Sequence, residues 1–339
     1  MNYFAKPKGI EPVDEAANAA RIQSLLTTTR PFLSDGGFET SLFFIDGFEA
    51  PEFAAILLMN DPEARRAMSA YFDRFLAQAE ATRTGFILDT ATWRGCIEWA
   101  PRLGITTSDM ICLSRDAVTF AKGIRTKWES RVSPILLNGV VGPAGDGYAP
   151  EMKLDSALAQ SLHTPQIDAF AEEGVDTVSA ITMTHVGEAV GIARASFLAG
   201  LPVVVSFTVE TDGRLPSGET LREAIYQTDL ETAGAPIYYM VNCAHPDHFR
   251  DAIRSEEPWI NRIRGVRANA SRLSHAELDE AEELDDGNPE EFGQLHGELA
   301  RMLPNLAVLG GCCGTDRRHI EHACQALGMG ETEGERDVG

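Results

Sequence analysis

Basic residues are scarce in this chain. Only 29 Lys and Arg stand against 51 Asp and Glu, for a net charge of −22 and a pI near 4.7. Such a surface repels polyanions, which argues against nucleic acid and anionic membrane as partners. Also missing is any apolar run approaching the roughly 20 residues needed to span a bilayer. The first twenty residues are polar and acidic, without the apolar centre of a secretory signal, so the expected location is cytoplasmic. Cysteine is thin, six in 339 residues, too few for a dense disulfide framework, and the thiols read as reduced. What is present is ordinary for a globular protein: 44% apolar and 24% charged residues, in a chain long enough to bury a large core.

One theme recurs along that chain. Short apolar runs end in small or polar residues, and helical stretches lie between them. Eight such runs cover 31–34, 85–89, 135–141, 177–181, 203–208, 237–241, 263–268 and 306–310. Helical spacing marks 14–29, 63–79, 166–173, 186–199, 220–232 and 316–327, with Gly174 and Gly200 placed where helix C-termini favour glycine. Eight strand–helix units predict an α/β fold, a (β/α)₈ TIM barrel in a single domain over 31–329; an open doubly wound sheet is the alternative. Residues 1–30 read as a lead and a helix capping the barrel base, and 330–339 as a disordered tail. The acidic stretch 274–300 reads as a solvated helix and loop.

Chemistry in such a barrel sits at the C-terminal strand ends. Asp35, Thr92, Gly142, Thr208, Cys243, Asn269 and Cys312 all fall there. Cys312 and Cys313 follow the last apolar run inside a glycine frame, and Cys243 follows the sixth. Disulfide geometry fits adjacent cysteines badly, but both can face one metal ion. With Cys243 they make a three-thiolate zinc set with one open position, the pattern of a catalytic rather than a structural zinc. The other reading of each cysteine is a small core hydrophobe.

Asp35-Gly36-Gly37, Val241-Asn242-Cys243 and Gly310-Gly311-Cys312-Cys313-Gly314-Thr315 resemble the motifs of the zinc-dependent homocysteine S-methyltransferases. Leu137 to Pro143 and Pro202 to Thr208 resemble that family's third- and fifth-strand segments. The resemblance covers nearly the whole chain. It implies a (β/α)₈ barrel, Zn²⁺ on Cys243, Cys312 and Cys313, and methyl transfer to a thiol. The implied partners are a small-molecule thiol acceptor and an activated donor such as S-methylmethionine, S-adenosylmethionine or a betaine. A thiol-activating subunit served by a separate corrinoid methyl carrier is the alternative.

By resemblance Asp35 contacts the acceptor or orders the site; it also suits a turn after the strand. Trp93 aligns with the family's second-strand aromatic and either holds a cationic donor or packs the barrel mouth. Gly36, Gly37, Thr92, Thr208, Asn242 and Asn269 are the further expected substrate contacts. One position departs from the family. Where the resemblance places a glutamate for the amino group of homocysteine, this chain has Ile181. Either another acid takes over, with Asp89 and Glu210 nearest by strand-end position, or the acceptor lacks that amino group.

Overall fold

A computed structural model describes residues 15–147, 153–281 and 283–329. The lead 1–14 and the tail 330–339 lie outside the described residues. The eight apolar runs form eight parallel strands, closed into a barrel in sequence order: β1 Phe32–Leu33, β2 Phe86–Asp89, β3 Ile135–Val141, β4 Thr177–Met183, β5 Val203–Phe207, β6 Pro236–Asn242, β7 Ile263–Ala268 and β8 Val308–Gly311. The open-sheet alternative is thereby set aside. Strand β1 closes the ring by pairing with both β2 and β8.

Alternation along the strands sorts side chains into two populations. Leu136 and Val140 of β3 point inward and join Phe32, Ile87, Ile181, Val204, Tyr238, Met240 and Val308 inside the barrel. Ile135, Leu137 and Val141 point outward to the helices. The helix Glu15–Leu26 plugs the lower end: Leu25 joins the interior cluster, and Arg264 Nη2 donates to the Leu26 carbonyl at 2.8 Å. A polar layer crosses this interior. Asn138 Nδ2 donates to Asp89 at 2.7 Å, while Thr177 and Ser179 hydroxyls donate to Asn138 Oδ1.

The outer helices start where side chains can cap them. Asp61, Thr106, Asp155 and Thr220 accept backbone N–H bonds at the starts of Pro62–Thr82, Thr107–Trp128, Ser156–Glu173 and Leu221–Thr232. The helix expected over 166–173 begins ten residues earlier, and Pro165 lies inside it. The acidic stretch is also more than a solvated face. Within it Pro289–Met302 buries Phe292, Leu295 and Leu299, and it packs on Arg317–Ala326 where Gly293 lies against His322.

Candidate active site

Cys243 leaves β6, and Cys312 and Cys313 leave β8. Strand β7 lies between them and holds both: Cys243 N–H donates to the Arg267 carbonyl at 3.1 Å, and Cys312 N–H to the Ala268 carbonyl at 2.8 Å. The three Sγ atoms come within 4.8 Å of one another, with those of Cys243 and Cys313 3.7 Å apart. Among the described residues no other group of three His, Cys, Asp or Glu side chains converges in this way. Hydrogen bonds from Cys243 and Cys313 hold the Cys312 thiol well below its ordinary range. Three converging sulfurs fit a thiophilic metal ion such as zinc.

The backbone around this cluster is strained and then clamped. Cys243 has φ +56° and Thr182 φ +63°, a region that costs a side-chain residue roughly 1–3 kcal/mol. The Cys243 carbonyl accepts bonds from His275 Nε2 at 2.7 Å and Thr208 Oγ1 at 3.2 Å. Burial lowers the pKa of His275, but Glu210, 3.1 Å from Nδ1, raises it overall. Thr182 is fixed by Asn242, whose Oδ1 accepts its N–H at 2.9 Å and whose Nδ2 donates to its hydroxyl at 2.9 Å.

Gly36 and Gly37 are required by close approach. A Cβ on Gly36 would stand 2.7 Å from the Thr315 carbonyl oxygen, and one on Gly37 2.9 Å from that of Cys312. The first-strand loop thus lies directly on the cysteine loop. Its Asp35 enters a buried ionic chain. Arg267 donates through Nη2 to Asp35 Oδ1 at 2.5 Å and through Nη1 to Asp89 Oδ2. The remaining oxygens are occupied too, Asp35 Oδ2 by the Tyr71 hydroxyl at 3.3 Å and Asp89 Oδ1 by Asn138. Burial pushes the Asp35 carboxyl up to about 8, against the pull of Arg267.

A cleft opens over the cysteines. Of the expected contacts, Asp35, Gly36, Gly37, Trp93, Asn242 and the three cysteines line it. Thr92, Thr208 and Asn269 do not. The Thr92 hydroxyl turns back to the Val140 carbonyl at 2.7 Å, Thr208 supports Cys243, and Asn269 is buried beside the Ala244 carbonyl that accepts its N–H. The Thr92 and Thr208 hydroxyls thus bond to backbone carbonyls rather than facing the cleft. Ile181 does face the cleft, and neither acid expected to replace it is available: Asp89 is bound by Arg267 and Asn138, and Glu210 pairs with His275 outside the cleft. Trp93 lines the cleft wall, but Arg94 of this chain stacks 4.7 Å from its ring and 4.0 Å from that of Trp99.

Arg267, Glu39 and Tyr71 escaped the sequence reading. Arg267 did carry a signal, as one of two cations in the apolar run 263–268, the other being Arg264 near its start. A second chamber of about 840 Å³ adjoins the cleft at Glu39, Thr40, Trp93 and Cys313, and its far wall is built from Leu278, Asp279, Glu283 and Asp285 of the acidic stretch.

Fold and site together define a (β/α)₈ enzyme with a thiol cluster at its catalytic mouth. The chain belongs to the homocysteine S-methyltransferase family, whose pattern matches residues 32–327. It is therefore an S-methyltransferase. Its fold is similar to that of the Escherichia coli homocysteine methyltransferase MmuM. The metallated form superposes with a TM-score of 0.69 at 18% identity, and the oxidized form with 0.68 at 20%; each comparison covers 91% of this chain and 99% of that one. No helix among the described residues is long and apolar enough to cross a membrane.

Proposed function

We propose that this enzyme moves a methyl group from a free onium donor, of the S-methylmethionine, S-adenosylmethionine or betaine type, to the sulfur of homocysteine, with Zn²⁺ held by Cys243, Cys312 and Cys313. The convergence of three thiols at the strand ends of a chain in this family carries the reading. Zinc bound by thiolates supplies a deprotonated acceptor sulfur at neutral pH, where a free thiol of pKa ~8.5 is mostly protonated. The chain's own residues do the rest. His275, Thr208 and Asn242 hold the strained backbone that aims Cys243 and Thr182. Gly36 and Gly37 bring the first-strand loop onto the cysteines, and Arg267 fixes Asp35 at the cleft floor. The acceptor sulfur forms its bond to the methyl carbon as the donor's carbon–sulfur or carbon–nitrogen bond breaks, and the donor leaves neutral at that atom. No protein nucleophile is needed.

The test is metal analysis of the purified protein together with a methylation screen over the three donor types. About one zinc per chain, homocysteine methylation with at least one donor, and loss of turnover on chelation are the expected results. A metal-free protein that still transfers methyl would sink the zinc assignment. Inactivity with every free donor, rescued by a methylated corrinoid protein, would move the donor assignment to the carrier.

Trp93 is expected to help bind the donor cation. Replacing it with Leu removes an attraction of ~0.5–2 kcal/mol, or roughly a 2- to 30-fold rise in donor KM. Because Arg94 already stacks on this ring, the lower end is expected. Equal changes in donor and acceptor KM would reduce Trp93 to packing.

A further inference from the structure

The cleft over the cysteines is lined by three carboxylates, and they are not equivalent. Asp35 and Asp89 share Arg267, and each of their four oxygens already accepts a bond from Arg267, Tyr71 or Asn138. Glu39 is the third, and it lines both the cleft and the outer chamber. Among the described residues no lysine, arginine or histidine is within ion-pair distance of it.

Its placement is fixed from both sides. Phe38 is packed against Tyr71 and Phe72, with ring centroids 5.2 and 5.4 Å away. The Thr40 hydroxyl donates to the Gly37 carbonyl at 3.1 Å and accepts the Gly314 N–H at 3.3 Å, one residue past the cysteine pair. The Ser41 N–H closes the turn on Gly37. Glu39 is therefore carried on a rigid turn bolted to the loop that bears Cys312 and Cys313. A carboxylate held at a set place beside a sulfur-binding centre, with no ion pair to any described residue, suits a substrate that brings a cation at a set distance from its sulfur. The ammonium of homocysteine, three carbons from the sulfur, is such a group. The wall at Ile181 is apolar and can offer it nothing.

We propose that Glu39 is the counter-ion for the acceptor's ammonium and sets the preference for an amino-acid thiol over a thiol of the same length without the amino group. The assignment rests on the thiol-methyltransferase reading above. It differs from both acids expected from strand-end position, because it comes from the turn after β1.

The test compares homocysteine with 4-mercaptobutanoate on the holoenzyme, by methyl transfer and by calorimetric binding, in the wild type and in Glu39→Gln and Glu39→Asp. The expected result is a rise of at least tenfold in the homocysteine KM and Kd in Glu39→Gln, with a small change in kcat. The preference for homocysteine over the desamino thiol should fall by at least the same factor, with part of it restored in Glu39→Asp. Metal content and far-ultraviolet dichroism of the variants report whether the turn is intact. An unchanged preference in a variant that keeps its metal and fold overturns the proposal. So does a shift confined to the donor KM, which would assign Glu39 to the donor. Should the wild type bind and methylate neither thiol, the underlying reading fails, and the inference falls with it.

Discussion

Cys312→Ala is expected to lower methyl transfer by roughly 10³-fold or more, because the acceptor loses both its ionised state and its fixed position. The same holds for Cys243→Ala and Cys313→Ala. Each removes one of three sulfurs that converge within 4.8 Å, and two thiolates no longer make the three-ligand set of a catalytic zinc. Zinc content should fall with activity in all three proteins. Compared as metal-free proteins, the variants and the wild type should hardly differ in stability, since a bound ion adds its own stabilisation only to the wild type. The cysteines sit at the barrel mouth, Cys312 and Cys313 are only partly buried, and the core lies below and outside the strands. Cys243→Gly separates the two effects most sharply. Cys243 adopts φ +56°, where glycine pays no steric penalty, so this variant should be inactive and yet no less stable by thermal melting than the metal-free wild type. A Cys312→Ala protein that kept full zinc and full turnover would show that the cluster is not the site.

How far the sequence revealed this site depended on whether each part left a local mark. The strands were legible because apolar runs closed by small residues repeat eight times; 135–141 and 263–268 coincide with β3 and β7. The cysteines were legible because two adjacent thiols in a glycine frame have few structural uses. The helix before Gly174 runs ten residues further upstream than its spacing predicts: Pro165 inside it belongs to a residue type that breaks helix interiors, and the true start is marked only by the capping Asp155. Thr92, Thr208 and Asn269 occupy strand ends as expected, but strand-end position does not say which way a side chain turns, and the Thr92 and Thr208 hydroxyls turn to backbone carbonyls. The acidic stretch 274–300 looked uniform in charge. In the fold one part packs on a neighbouring helix and another walls the chamber beside the site. Least legible was the Arg267 chain, whose partners Asp35 and Asp89 are 232 and 178 positions away. Only closure of the barrel brings them together.

That chain gives the second large effect, this time on stability. Arg267→Met should destabilise the fold by about 3–5 kcal/mol at neutral pH, since it leaves two buried carboxyl groups without their shared cation. The loss should depend on pH with a definite sign. Without the cation the Asp35 carboxyl titrates further above the ~3.9 of an unfolded aspartate, and burial already pushes it up to about 8 with Arg267 present. The folded state then binds more protons than the unfolded one between those values, so stability falls as pH rises through that window and recovers toward pH 4–5. The wild type, with Arg267 held charged by Asp89 and Asp35 well above its ordinary value, should show a shallower slope. Adding Asp35→Asn and Asp89→Asn to Arg267→Met removes every charge of the chain at once. Replacing a whole buried ionic group by neutral side chains is often near neutral or stabilising, so the triple variant should regain most of the loss and lose its pH dependence. Methyl transfer should stay impaired, because Asp35 lines the cleft and its carboxylate is gone. Chemical denaturation of the three proteins at pH 5 and pH 8 decides the matter. If Arg267→Met matched the wild type at both, the ionic chain would be a by-product of packing, and the cleft floor would have to be held by Tyr71 and Asn138 alone.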